Sequence, residues 1–157
     1  MKLFIQQVSN GNPSIVAEYT DNENGAKVKY HQLCSALIGS ADVETGIVEI
    51  QDENLNTWNG YKKVIDKTGE PVVEADGKIY LLNTVNGNFM VNQVAEYDNN
   101  TTGQTSAMVA FHDKLASYLN TADVYSAFVR LANETLDVWE GYAEGVSHPV
   151  PEETIEP

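Results

Sequence analysis

Short apolar runs broken by turn residues open each half of the chain. Leu3–Val8 and Ile15–Tyr19 flank Asn10-Gly11. Asn-Gly between apolar runs is a strong hairpin signal, because a type I′ turn places two consecutive residues at positive φ. Pro13 predicts a slightly longer turn. In the second half, Lys78–Leu82, Asn86-Gly87 and Phe89–Tyr97 predict another hairpin. Val72–Ala75 reads as an extra strand, turned back through Asp76-Gly77.

The period then changes to that of a helix. Tyr30, Cys34, Leu37 and Ala41 fall at i, i+4, i+7 and i+11, and Phe111, Leu115, Tyr118 and Ala122 repeat the stripe. Gly39 and Asn120 are the expected left-handed terminators. A second helix is predicted to follow, with Asp42 or Asp123 as N-cap. Its apolar face would be Val43, Ile47 and Ile50, or Val124, Phe128 and Leu131, with small residues Gly46 and Ala127 beside it. The stretch 52–60 fits either a continued helix or a hairpin-like extension. The i, i+3 spacing of Trp58 with Tyr61 favours helix.

Both halves carry the same pattern because they are copies. Residues 26–65 align with 107–146 without a gap, an offset that pairs His31 with His112, Asp42 with Asp123, Trp58 with Trp139 and Tyr61 with Tyr142. Identities also fall at Ala26/Ala107, Val28/Val109, Val43/Val124, Val48/Val129, Leu55/Leu136 and Gly60/Gly141. Upstream, Val16-Ala17-Glu18-Tyr19 recurs as Val94-Ala95-Glu96-Tyr97, each followed by a polar loop. The predicted fold class is therefore α+β, an internal duplication of a ββαα unit related by a pseudo-twofold axis. The repeats span 1–69 and 70–147, the second with its extra strand, and 148–157 forms an acidic C-terminal tail. Half of this chain is near the lower size limit for an independent core, so the copies are expected to share one, as in a fused homodimer.

Charge narrows the partner classes. The chain has 157 residues and a net charge of −14. Residues 1–69 hold six basic against nine acidic groups (−3), and residues 70–157 hold three against 14 (−11). Phosphate backbones are gripped by Lys and Arg, so direct nucleic-acid binding is not expected. A basic protein, or a second copy of the chain, is the expected partner. The single cysteine excludes an intramolecular disulfide. Met1–Val8 lacks the apolar run of a signal peptide, and no stretch reaches the ~20 apolar residues of a membrane span. A cytoplasmic or virion location is expected.

Four aromatic residues, Trp58, Tyr61, Trp139 and Tyr142, are the candidate partner-binding positions, since Trp and Tyr dominate interface hot spots. Core packing is the plainer reading of the same residues. His31 and His112 flank the first predicted helix of each copy and are candidates for a site between the repeats. They would approach one another if the helices cross at the axis. One His per helix is sparse for a metal site, and HExxH, paired CxxC, GxSxG, GxGxxG and GxxxxGK[ST] motifs are missing. No catalytic residue, cofactor or metal is assigned. Leu115 stands opposite Cys34, which marks the cysteine as a small buried hydrophobe.

These features point to a non-enzymatic structural or protein-interaction protein. In composition it resembles small phage or mobile-element proteins, which suggests a virion or assembly component. One alternative is an acidic nucleic-acid mimic that inhibits a basic protein. For that, the carboxylates of the second copy must line one face. The other alternative is a small-ligand or metal-dependent enzyme with a site between the repeats. That reading requires a cavity flanked by His31 and His112.

Overall fold

A computed structural model describes residues 1–68, 77–87 and 90–148. The extra strand predicted at Val72–Ala75, the residues at the start of the predicted Phe89–Tyr97 strand, and the tail beyond His148 lie outside the described residues. The first repeat contains β1 (Lys2–Ser9), β2 (Asn12–Thr20), α1 (Glu23–Gly39), β3 (Thr45–Gln51) and β4 (Thr57–Asp66). The second contains β5 (Lys78–Val85), β6 (Asn92–Asp98), α2 (Thr101–Leu119), β7 (Ser126–Ala132) and β8 (Val138–Ser147). Each repeat folds into one four-stranded antiparallel sheet, ordered β2-β1-β3-β4 and β6-β5-β7-β8.

The duplication is present, but its unit is ββαββ and not ββαα. The predicted second helix is a pair of strands in both copies. Gly46, Val48 and Ile50 alternate inward along β3, and the β-branched run Ile47, Val48 and Ile50 suits a pleated surface. Asp42 and Asp123 consequently cap no helix. Their backbone carbonyls instead accept from Asn10 Nδ2 at 2.9 Å and Asn86 Nδ2 at 2.8 Å. Stretch 52–60 is a hairpin. Asp52 Oδ1 accepts from the amides of Asn54 and Asn56, and Asn133 Oδ1 accepts from those of Thr135 and Asp137. This Asx-turn chemistry holds Leu55 and Leu136 at φ 66° and 65°.

Both Asn-Gly pairs have the expected positive φ, 49° and 81° at Asn10-Gly11 and 53° and 72° at Asn86-Gly87, but Pro13 does not lengthen the first turn, because it already lies in β2 opposite Val8. The helices begin earlier than their apolar stripes suggested. Asn22 Oδ1 accepts from the Gly25 amide and Asn100 Oδ1 from the Gly103 amide, so the polar loops before each stripe are N-caps. The predicted left-handed terminators are not used, because Ser40 and Asn120 end the helices at negative φ. Ala41 and Ala122 lie past the helix ends and are exposed.

Tyr30, Cys34 and Leu37 turn onto the first sheet with Leu3, Ile5, Val48 and Ile50. Phe111, Leu115 and Leu119 do the same against Ile79, Leu81, Val129 and Leu131. The remaining helix faces pack against each other. Asn24 Nδ2 at the start of α1 donates to the Leu119 carbonyl at the end of α2, at 2.7 Å, so the helices run antiparallel. Val28 of α1 joins the second core, and Val109 of α2 joins the first. The two sheets therefore share one helical layer.

Candidate functional site

Antiparallel packing brings the midpoints of α1 and α2 together, and both histidines sit there. Exposure is 1% for His31 and 3% for His112, and their Nδ1 atoms are 3.0 Å apart. An Nδ1–Nδ1 contact needs one donor and one acceptor, so the rings cannot be in the same tautomer while both are neutral. Burial, the neighbouring His31 and the charge of Lys63 lower the pKa of His112 from 6.5 to about 2. His112 is therefore neutral. On the far side of His31, Nε2 lies 3.1 Å from Glu144 Oε2. The carboxylate is close but misaligned, since His31 Nε2 has no hydrogen-bond partner of proper geometry, and neither has His112 Nε2.

Rings surround the pair in matching sets. Tyr30 and Tyr61 meet His31 edge-on, and Phe111 and Tyr142 meet His112 in the same way. Trp58 stacks on Tyr61 with centroids 5.6 Å apart, and Trp139 stacks on Tyr142 at 5.8 Å. These rings leave their strands through a bulge. Gln51 pairs with Thr57 and Glu49 with Lys62, so residues 58–61 loop out of register toward the helix. Asn59-Gly60 and Glu140-Gly141, all at positive φ, make the tight bend. The i, i+3 spacing of Trp and Tyr thus arises from a bulge and not from a helix.

The four aromatic candidates have unequal fates. Trp139 and Tyr142 are buried, at 6% and 8% exposure. Lys63 extends from β4 of the other repeat and lays its ammonium over the Tyr142 ring, 4.1 Å from the centroid. Trp58 and Tyr61 are half-buried, with Lys27 on their stack. The position equivalent to Lys63 is Glu144, by the same offset that aligns the histidines. Where the second repeat's ring is covered by a lysine, the first repeat's ring borders an open cleft of about 310 Å³. Tyr30, His31, Asn59, Gly60, Tyr61, His112 and Glu144 line it. Burial, with the negative charge of Glu144, pushes the Tyr61 phenol up to about 12, so it stays protonated beside that carboxylate.

Among the described residues, no group of three or more His, Cys, Asp or Glu is disposed to hold a metal ion. Cys34 is fully buried, and that burial pushes its thiol up to about 12, as a packing role requires. A larger cleft of about 660 Å³ lies at the end of the helix pair, lined by Glu23, Asn24, Lys27, Leu119 and His148 among others. No family model, curated protein or solved structure matches this chain.

Sequence reasoning found the histidines but missed Glu144, Lys63 and Tyr30 as their neighbours. The signal was present in the alignment. Lys63 against Glu144 is a charge reversal at matched positions two residues beyond an identical Gly-Tyr pair.

Proposed function

We propose that this protein is a non-enzymatic protein-interaction module, a fused pseudo-dimer that receives a basic partner at the junction of its two repeats. The observation that carries the reading is the departure from symmetry at Tyr61 and Tyr142. Features common to both copies are explained by the shared fold. An open cleft with an acidic wall at the ring of one copy, where the matching ring of the other copy is covered by Lys63 reaching across the junction, has no such explanation. Tyr61 and its stacked Trp58 are then the aromatic anchors, and the acidic balance of the chain favours a cationic counterpart. A small ligand between the repeats is the second reading, favoured by the histidine pair that borders the same cleft.

The nucleic-acid-mimic reading draws no support from the charge placement. Among the described residues, the second repeat's carboxylates sit on β6 (Glu96, Asp98), α2 (Asp113), the loop after α2 (Asp123), the β7–β8 turn (Glu134, Asp137) and β8 (Glu140, Glu144). They are spread over two strands, a helix, a loop and a turn. Among the same residues, no helix is long and apolar enough to cross a membrane.

A photo-crosslinking residue placed at Asn59, and separately at its exposed counterpart Glu140, tests the proposal in extracts of the source cells. A partner captured from position 59 but not from 140, with capture weakened by added salt, is the expected result. Equal capture from both positions, or from neither, defeats it.

A further inference from the structure

The two halves of the junction act as each other's control. In the second half the ammonium of Lys63 lies over the face of Tyr142, beside His112, which feels its charge. This is a cation held on an aromatic wall by the chain itself. In the first half the same walls recur: Tyr61 for Tyr142, His31 for His112, and Tyr30 for Phe111. The position of Lys63 is held here by Glu144, and the space is an open cleft, with the Lys27 ammonium at a longer 5.9 Å from the Tyr61 centroid. We infer that this cleft is a binding site for a primary ammonium group, the charged end of a lysine side chain, with Glu144 as its counter-ion and the Tyr61 ring as its wall.

Three further observations agree. Glu144 is about one-third exposed, so its carboxylate reaches both the cleft and an incoming cation. Its approach to His31 is off-axis, leaving His31 Nε2 buried and without an aligned partner, so the carboxylate is not consumed by the ring. The volume of about 310 Å³ is at the lower limit of small-molecule pockets, which suits one side chain and not a cofactor. Guanidinium is a poorer match, because its planar fork calls for bidentate partners and, among the described residues, Glu144 alone of the acidic residues lines the cleft.

The inference rests on the interaction-module reading for the origin of the amine, and the test separates the two. Butylammonium chloride and a short lysine-containing peptide are titrated into the full-length ¹⁵N-labelled chain, and amide shifts are followed by NMR. Saturable shifts at Gly60, Tyr61 and Glu144 are expected for both probes, and none for the peptide with an acetylated lysine. Glu144→Gln is expected to weaken binding about tenfold, the scale of one partly desolvated ion pair. Glu144→Lys, which rebuilds the closed arrangement of the second half, should abolish it. Lys63→Glu should create a second set of shifts around Gly141 and Tyr142. Binding that survives Glu144→Lys in a folded variant, equal binding of the acetylated peptide, or no saturable shift with butylammonium overturns the site. Butylammonium binding without peptide binding keeps the ammonium site and overturns the protein-partner reading.

Discussion

Acidification should destabilise this protein through one ring. His112 is buried against His31 with Lys63 nearby, and its pKa falls from 6.5 to about 2. In the unfolded chain the ring titrates normally. Between those values the unfolded state binds a proton that the native state refuses, so stability must fall as pH falls. From pH 7.5 to 5.5, a single such group removes about 1.4 kcal/mol, since the native ring stays neutral throughout while the unfolded ring goes from nearly neutral to nearly fully charged. Carboxylates contribute little in that window because their ordinary values lie below it. Urea unfolding at the two pH values should show a midpoint lower by roughly 0.5–1.4 M at pH 5.5, for an m-value of about 1–3 kcal/mol/M. His112→Asn keeps a donor near the position of Nδ1 but cannot titrate. It lowers stability at both pH values, and its pH slope should be shallower by the amount calculated. A wild-type midpoint that does not move, or parallel falls in wild type and variant, would refute the argument.

Three further outcomes follow from the fold. With its thiol pushed up to about 12 by burial, Cys34 should resist a disulfide reagent at pH 8 until denaturant is added; rapid labelling of the native protein would contradict its packing role. Asn10→Ala should cost about 2 kcal/mol by urea denaturation, because Asn10 holds φ 49° and its side chain bonds Asp42, Glu44 and Thr45; Asn10→Gly should recover the backbone part, and a cost below ~0.5 kcal/mol for alanine would remove the turn from the account. Gly103→Ala should be far more damaging than Gly25→Ala. A Cβ at 103 meets the Asp98 carbonyl oxygen at 1.8 Å, whereas at 25 it meets the movable Asn22 side chain, so we expect over ~3 kcal/mol against about 1 kcal/mol in thermal or urea melts.

Local signals with one physical solution were legible in the sequence. Asn-Gly demands positive φ twice; the first hairpin formed as read, while the strand after Asn86-Gly87 begins only at Asn92. The scarcity and equivalence of His31 and His112 marked the junction, and the helices crossed there. The failure lay in 42–61, where two periods coincide. Val43, Ile47 and Ile50 satisfy a helix, yet Gly46, Val48 and Ile50 satisfy a strand equally well. β-Branched content should have decided for the strand, but the Trp58–Tyr61 spacing argued against it. That spacing is produced by an out-of-register bulge, which only the register of β3 with β4 reveals. Asn22 and Asn100 were read as loop residues because the first helical turns are polar and add nothing to the apolar stripe. Glu144 escaped notice because its partner lies 113 positions away in sequence, on the other copy.

Covalent linkage of the two halves has an evolutionary consequence. In a dimer of separate identical subunits, every change near the axis appears twice, so a lysine on one side brings a lysine on the other. One polypeptide breaks that rule: position 63 and position 144 mutate independently. One half can keep the scaffold rigid while its twin drifts toward new specificity, and selectivity can be retuned by a single codon without disturbing the framework that both halves depend on.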